Sequence, residues 1–387
     1  MIPARPALLL ALACATASSQ GVPLRLPNGL SATLTEDHEA PLIRVEGCLP
    51  VAPAEVPPGL PGLPTLLWST LTHSPRGNRS AAEFQTLAEG SAIRLELRPE
   101  GRGLRLSLVC RSRDQELAFG LLGDLLARGS LDPTQLEAAR IRLHRESREA
   151  ARTRWLAEVS GSALLPPPEA TLAKAGQADL EALQLRLFRP ERLHLELQGD
   201  LNPTQAQQLL LLALGAWRPG PAQPLPPPPP PARSAELLLP EAPGTVWGAL
   251  PPLPAGDAAG ALLGLLLPER LEGLQGTGRP GDPWRLRSTA ASPAEALQAL
   301  EARLAVLTFS EADVESARRA WRGQRALAGL DPALSLEARL EGPPSEAAVA
   351  RVTASDLQRA YRALVSPDAR HLLWTGDAGW LKQVPRP

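Results

Sequence analysis

The sequence predicts an α+β protein built from two copies of one unit, and three observations carry that prediction. Short strand patterns and amphipathic helix patterns follow one another along the whole chain. A helix, a short loop, a strand and a Gly-Asp pair close both halves, at residues 193–200 and again at 371–377. Between the halves lies 218–234, with six consecutive prolines at 226–231, a composition that takes the extended polyproline conformation and acts as a stiff spacer. The expected division is therefore a first unit over 20–217, a linker over 218–234 and a second, shortened unit over 235–387.

Each element follows from local pattern. Residues 24–35 (LRLPNGLSATLT) alternate around Asn28-Gly29 and read as strand, turn, strand. A polar turn at 36–39 leads to a second long strand over 41–49, and the proline-rich loop 51–61 leads to an apolar helix over 62–71. Ser80 with Glu83 three residues on makes a capping box for a helix over 81–89. Residues 92–98 and 103–111 form a hairpin pattern, and 114–128 is amphipathic. Asp132 then caps a helix over 132–154, with Pro133 in its first turn. A helix near 177–186, the strand 193–199 and a helix started by Asn202-Pro203 complete the first half. The second half repeats the theme with strands at 235–239, 245–250, 284–288 and 371–375, and helices at 258–267, 293–307, 311–327 and 353–364.

Composition narrows the function classes. Forty basic against 41 acidic residues give a formal net charge of −1, so no strong field draws nucleic acid or an anionic membrane, and neither partner is expected. Aromatics make up 3% of the chain, with one Met and one Tyr, so the cores must be built mainly from Leu, Ala and Val. Residues 1–19 read as a secretory signal peptide, with Arg5 as the positive n-region, the apolar run 7–13 and small-residue cleavage sites among Ala13, Ala15 and Ala17. That run falls short of the ~20 residues a membrane-spanning helix needs. The protein is thus expected to be exported, periplasmic or extracellular, with a lipid anchor only if Cys14 is processed instead; bulky Leu12 argues against that. Export makes Cys48 and Cys110 a candidate disulfide, with two buried small hydrophobes as the alternative.

The helix over 62–71 carries the functional argument. Together with its surroundings it resembles the zinc helix of the insulinase/pitrilysin-like metallopeptidases of the mitochondrial-processing-peptidase type. The resemblance rests on Leu26-Pro27-Asn28-Gly29-Leu30, on Glu36-Asp37-His38 with Pro41, and on Pro58-Gly59 and Gly62-Leu63 leading into Leu66-Leu67. Further on it rests on 80–84, on Arg189-Pro190 with 195–200, and on 352–357. It implies an antiparallel sheet packed with helices in each unit, duplicated into a clam-shell around a peptide-sized chamber. In active members an H-x-x-E-H motif and a distal glutamate hold zinc and activate water. Here Thr65 and Ser69 stand at the two histidine positions and Trp68 at the catalytic glutamate. None of the three can take its family role, so no catalytic residue, metal ligand or zinc cofactor is expected.

Nothing else in the sequence rebuilds a metal site. The distal glutamate of the family is expected in the helix over 132–154, nearest His144 or Glu146. The five histidines are His38, His73, His144, His194 and His371, with no two spaced as a helical ligand pair; His73 reads as a surface loop residue and His38 as a local turn contact. There is no C-x-x-C pair, G-x-S-x-G elbow or Walker loop. The family also grips substrate with an Arg and a Tyr in its second unit. Arg270 is the nearest match to the arginine, Trp284 stands where the tyrosine strand would begin, and the sole Tyr361 falls elsewhere. The reading that follows is a catalytically inactive member that partners an active, zinc-bearing homologue in the cell envelope. The alternative is a stand-alone peptide-binding or scaffold protein, and the least supported is a peptidase with an unconventional metal site.

Overall fold

The computed structural model describes residues 21–100, 103–146, 155, 162–219, 237–240, 244–251, 253, 256–275, 284–328 and 331–384. The expected signal peptide with Cys14, and most of the expected proline-rich linker, lie outside these residues.

The first half builds a six-stranded sheet from β1 (Val22–Arg25), β2 (Ser31–Glu36), β3 (Leu42–Pro50), β4 (Arg94–Glu100), β5 (Gly103–Arg111) and β6 (His194–Gly199), in the order β1-β2-β6-β3-β5-β4. The second half builds a four-stranded sheet from β7 (Leu237–Pro240), β8 (Thr245–Leu250), β9 (Trp284–Thr289) and β10 (His371–Gly376), in the order β7-β10-β8-β9. The sheets are mixed rather than purely antiparallel. In each, the last strand inserts between two earlier ones, parallel to the first and antiparallel to the second: β6 between β2 and β3, β10 between β7 and β8. A strand arriving from a helix enters parallel to a neighbour more readily than a hairpin strand can. This shared insertion is the structural form of the repeat read from the two Gly-Asp endings.

Strand alternation decides which face is dry. Ile43, Val45 and Leu49 of β3, Leu104, Leu106 and Leu108 of β5, and Leu195 and Leu197 of β6 are almost fully buried on one face. The helices pack over that face and extend the same core: α1 (Leu63–Leu71), α2 (Ala81–Gly90), α3 (Gln115–Leu126), α4 (Pro133–Glu146), α5 (Glu169–Lys174), α6 (Gln177–Leu187) and α7 (Pro203–Leu214). A separate core forms in the second half around Leu262, Leu263, Trp284, Leu300, Val314, Tyr361 and Trp374. Its helices are α8 (Ala258–Arg270), α9 (Pro293–Ala305), α10 (Glu311–Ala328), α11 (Pro332–Glu341), α12 (Glu346–Ala350), α13 (Ala354–Leu364) and α14 (Ala378–Leu381). The helix start at Ser80 forms the expected capping box, with the Ser80 hydroxyl accepting from the Glu83 N–H and the Glu83 carboxylate accepting from the Ser80 N–H at 2.8 Å.

The cysteines do not form the candidate disulfide. Both are free, and the register pairs Ile43 with Cys110 but Cys48 with Arg105. The two side chains are thus five rungs apart, about 17 Å along the strands, and point to opposite faces. Burial pushes the Cys48 thiol up to about 11 and the Cys110 thiol up to about 12, the behaviour of inert packed thiols.

The opposite face of the first sheet is polar, and α11 of the second half lies across it, a helix that the sequence reading missed. Arg339 donates from Nε to the Glu196 carboxylate at 2.7 Å and from Nη2 to the Thr33 hydroxyl at 3.0 Å. Arg105, ion-paired with Glu46 at 3.1 Å, also donates to the Ala333 carbonyl at 3.3 Å. Burial by itself would raise the Glu196 carboxyl, but the hydrogen bonds and charges of His194 and Arg339 outweigh it and hold it below the ordinary carboxylate range. A carboxylate depressed in the folded state stabilises above its unfolded pKa and loses that stabilisation as pH falls through the folded value. The contact between the two halves is therefore expected to weaken below about pH 4. Glu196→Gln should flatten this acid limb in a pH series of urea midpoints; an unchanged limb would mean that other carboxylates set it.

Candidate functional site: the zinc-helix position

Helix α1 forms where the sequence places it. Gly62 at its N-terminus has φ +80°, and Pro64 occupies its first turn. Leu63, Leu66 and Leu67 have no exposed surface, and the helix packs on α4, α6 and the edge strand β4. Side-chain hydroxyls add second hydrogen bonds to carbonyls of its C-terminal half, beside backbone donors such as Thr72 N–H to Trp68 O at 3.0 Å and His73 N–H to Thr70 O at 3.2 Å. The Thr70 hydroxyl donates to Leu66 O at 2.9 Å, Thr72 to Trp68 O at 2.8 Å and Ser74 to Thr70 O at 2.9 Å.

The three residues that the resemblance aligns with the zinc motif are packed, not poised. Thr65 is half-buried, and its Oγ1 is buried without a hydrogen-bond partner. Trp68 is half-buried, and its Nε1 donates to Leu97 O of β4 at 2.7 Å. Its indole therefore ties the helix to the sheet edge where a general base would face a water. Ser69 is buried, and Arg142 of α4 reaches it: Nη2 donates to Ser69 O at 2.9 Å and to Ser69 Oγ at 3.3 Å. The same nitrogen sits 3.2 Å from His73 Nδ1, which makes His73 a contact of this cluster despite its exposed ring.

The resemblance puts a distal glutamate in this helix, nearest His144 or Glu146; among the described residues the side chain that reaches Ser69 is Arg142. Leu136, Ala139 and Leu143 form the buried stripe of α4, which turns Arg142 towards Ser69. His144 is exposed, and the side chain of Glu146 lies outside the described residues. The donor set does not fit zinc. A hydroxyl, an indole and a second hydroxyl replace two imidazoles and a carboxylate, and a guanidinium, itself a cation, fills the space beside them. Among the described residues no group of three or more His, Cys, Asp or Glu could hold a metal ion.

The other histidines lie apart. His38 is exposed, with Nδ1 2.9 Å from Asp200 and Nε2 3.4 Å from Glu36; hydrogen bonding to Asp200 and then Glu36 raises its pKa. His194 contacts the Ser31 and Thr33 hydroxyls and Glu196 on the polar sheet face. His371 is buried on β10, where burial lowers its pKa.

Arg270, the nearest match to the substrate-gripping arginine, is ion-paired with Asp313, whose carboxylate also caps the start of α10 by accepting from the Ser310 N–H at 2.8 Å. Its charge is thus satisfied inside the second half. Tyr361 is buried, donates to Leu304 O at 2.7 Å and is pushed by burial up to about 12. Trp284 is a core residue. Sequence reasoning missed Arg142 because no motif marks it; the only signal was its place beside the apolar stripe of α4.

No protein-family model matches the sequence, and no curated protein matches it. Solved structures do match in fold. A protease from Helicobacter pylori is 12% identical with a TM-score of 0.71, over 92% of this chain and 99% of the other. The peptidase M16 inactive domain from Pseudomonas fluorescens is 14% identical with a TM-score of 0.72, over 92% and 98%. The periplasmic protease PqqL from Escherichia coli is 14% identical with a TM-score of 0.68, over 95% of this chain but 49% of its own. Among the described residues no helix is long and apolar enough to cross a membrane. At these identities the likeness is one of architecture: the chain has the two-unit α+β fold seen in M16 peptidase domains.

Proposed function

We propose that this protein is a catalytically inactive insulinase-like peptidase homologue, exported to the cell envelope, that acts as the non-catalytic partner of a zinc-bearing homologue. The observation that carries this reading is the occupation of the zinc-helix position by Thr65, Trp68, Ser69 and the Arg142 guanidinium within an M16-type fold. An indole that donates to Leu97 O cannot accept a proton from water, and hydroxyls do not replace imidazole ligands. Two-part construction supports the partner role: 95% of this chain aligns with 49% of PqqL, so a second chain of similar fold would supply the other half.

The test combines metal analysis with a pull-down from the native host. The purified chain should hold far less than one zinc per molecule and show no chelator-sensitive peptide hydrolysis, and it should co-purify with a chain carrying an intact H-x-x-E-H motif. Stoichiometric zinc with hydrolysis abolished by a chelator would overturn the inactive reading. Absence of any such partner would leave the fold serving as a stand-alone binding protein.

A further inference from the structure

Two arginines converge on the C-terminal end of α1. Arg142 is anchored on Ser69 O at 2.9 Å, and Arg76 donates from Nη2 to Thr72 O at 2.9 Å. Their anchor residues are three apart, so the two guanidinium groups sit within one helical turn of each other's attachment points. Arg105, Arg192 and Arg339 each meet a carboxylate, whereas Arg142 and Arg76 form no ion pair among the described residues. Both are half-buried, and burial lowers the pKa of Arg76. Two partly desolvated cations at one helix end, each spending one nitrogen on a helix carbonyl and neither meeting a carboxylate among the described residues, form a locus that attracts an anion.

The remaining geometry supplies donors. Arg142 spends Nη2 on Ser69 and His73, which leaves three of its five N–H groups unused. His73 Nδ1 lies 3.2 Å from Arg142 Nη2 and 3.3 Å from Ser69 O, which seats its exposed ring beside the guanidinium. Arg76 is held over the Phe84 ring, 4.4 Å from its centroid, which steadies its plane. Every unspent guanidinium group here is a donor. Among the described residues no carboxylate competes for them.

We propose that this end of α1 binds a carboxylate group of a peptide through Arg142 and Arg76, beside the exposed ring of His73. The planar guanidinium matches a carboxylate's two oxygens, and Trp68 with the β4 edge provides an apolar and peptide-like wall beside them. The inference rests on the zinc-free reading of α1, which metal analysis tests separately.

The experiment titrates the purified full chain with acetyl-tetraalanine as the free acid and as the carboxamide, read by amide and arginine side-chain NMR shifts. The free acid should shift Ser69–Arg76 and the Arg142 side chain, with dissociation in the ~mM range expected of a single small anion, while the carboxamide should not. Arg142→Gln should weaken binding about tenfold or more, whereas Arg359→Gln, on the exposed face of α13, should not. Equal shifts with acid and carboxamide, or no shifts with either, would overturn the site without any variant being needed. Inorganic phosphate binding with the free acid silent would overturn the assignment to peptide. Zinc found at α1 would instead overturn the reading on which it rests.

Discussion

Alanine at Gly62 is expected to destabilise the first half by about 2–5 kcal/mol, the sum of left-handed backbone strain and forced overpacking. Gly62 has φ +80°, and a Cβ there would lie 2.5 Å from the Cα and 2.7 Å from the N of Pro167. Those are backbone atoms, so no side-chain rotation relieves the clash. Gly59 is the natural control: its φ is +86°, yet nothing lies within 4 Å of an added Cβ. Gly59→Ala should therefore cost only the backbone term, about 1–2 kcal/mol. Urea unfolding of the two variants separates strain from contact. Equal costs would show that the segment at Pro167 yields, and that the N-terminus of α1 is not clamped as the structure has it.

Removal of the Glu55 carboxylate is the second large effect. Glu55 is buried and accepts from Arg192 Nη1 at 2.5 Å, from Arg192 Nη2 at 2.9 Å and from the Ala52 N–H at 2.8 Å. Arg192 also donates to Pro50 O at 2.6 Å, and Arg186 donates to Glu55 O at 2.7 Å. This lattice ties the loop before α1 to the segment before β6. Glu55→Ala would leave a guanidinium buried without its counter-charge, at a cost of about 3–5 kcal/mol. The double variant Glu55→Leu with Arg192→Met removes both charges and should recover more than half of that loss. A double-mutant cycle in urea reads the coupling directly. A single-variant cost below about 1 kcal/mol would mean that water reaches the pair as it does an exposed one.

Local structure was legible in the sequence wherever one physical rule acted alone. The capping box at Ser80, the Asn-Gly turn before β2, the apolar stripe of α1 and the paired Gly-Asp strand endings all follow from short-range chemistry, and the structure keeps them. The unsuitability of Thr65, Trp68 and Ser69 for zinc chemistry was legible too, because ligand chemistry belongs to residue type. α11 was missed because it lies across the first sheet, so its register with Glu196 and Ala333's contact with Arg105 are long-range facts.

The candidate disulfide failed for a related reason. A strand pattern shows that Cys48 and Cys110 lie on strands, but only the pairing of Ile43 with Cys110 reveals that they sit five rungs apart on opposite faces. Arg270 looked free in sequence, and only the fold brings Asp313 to it. Arg142 is the clearest case. Nothing within its own helix distinguishes it from its neighbouring arginines, and its role appears only when α4 packs on α1 and turns it onto Ser69. By itself the sequence determined that this helix carries no histidine, glutamate or aspartate, since ligand chemistry belongs to side-chain identity. The tertiary structure decided what reaches it, a guanidinium with no carboxylate partner among the described residues, set beside a tethered indole, because only packing brings together residues 73 positions apart.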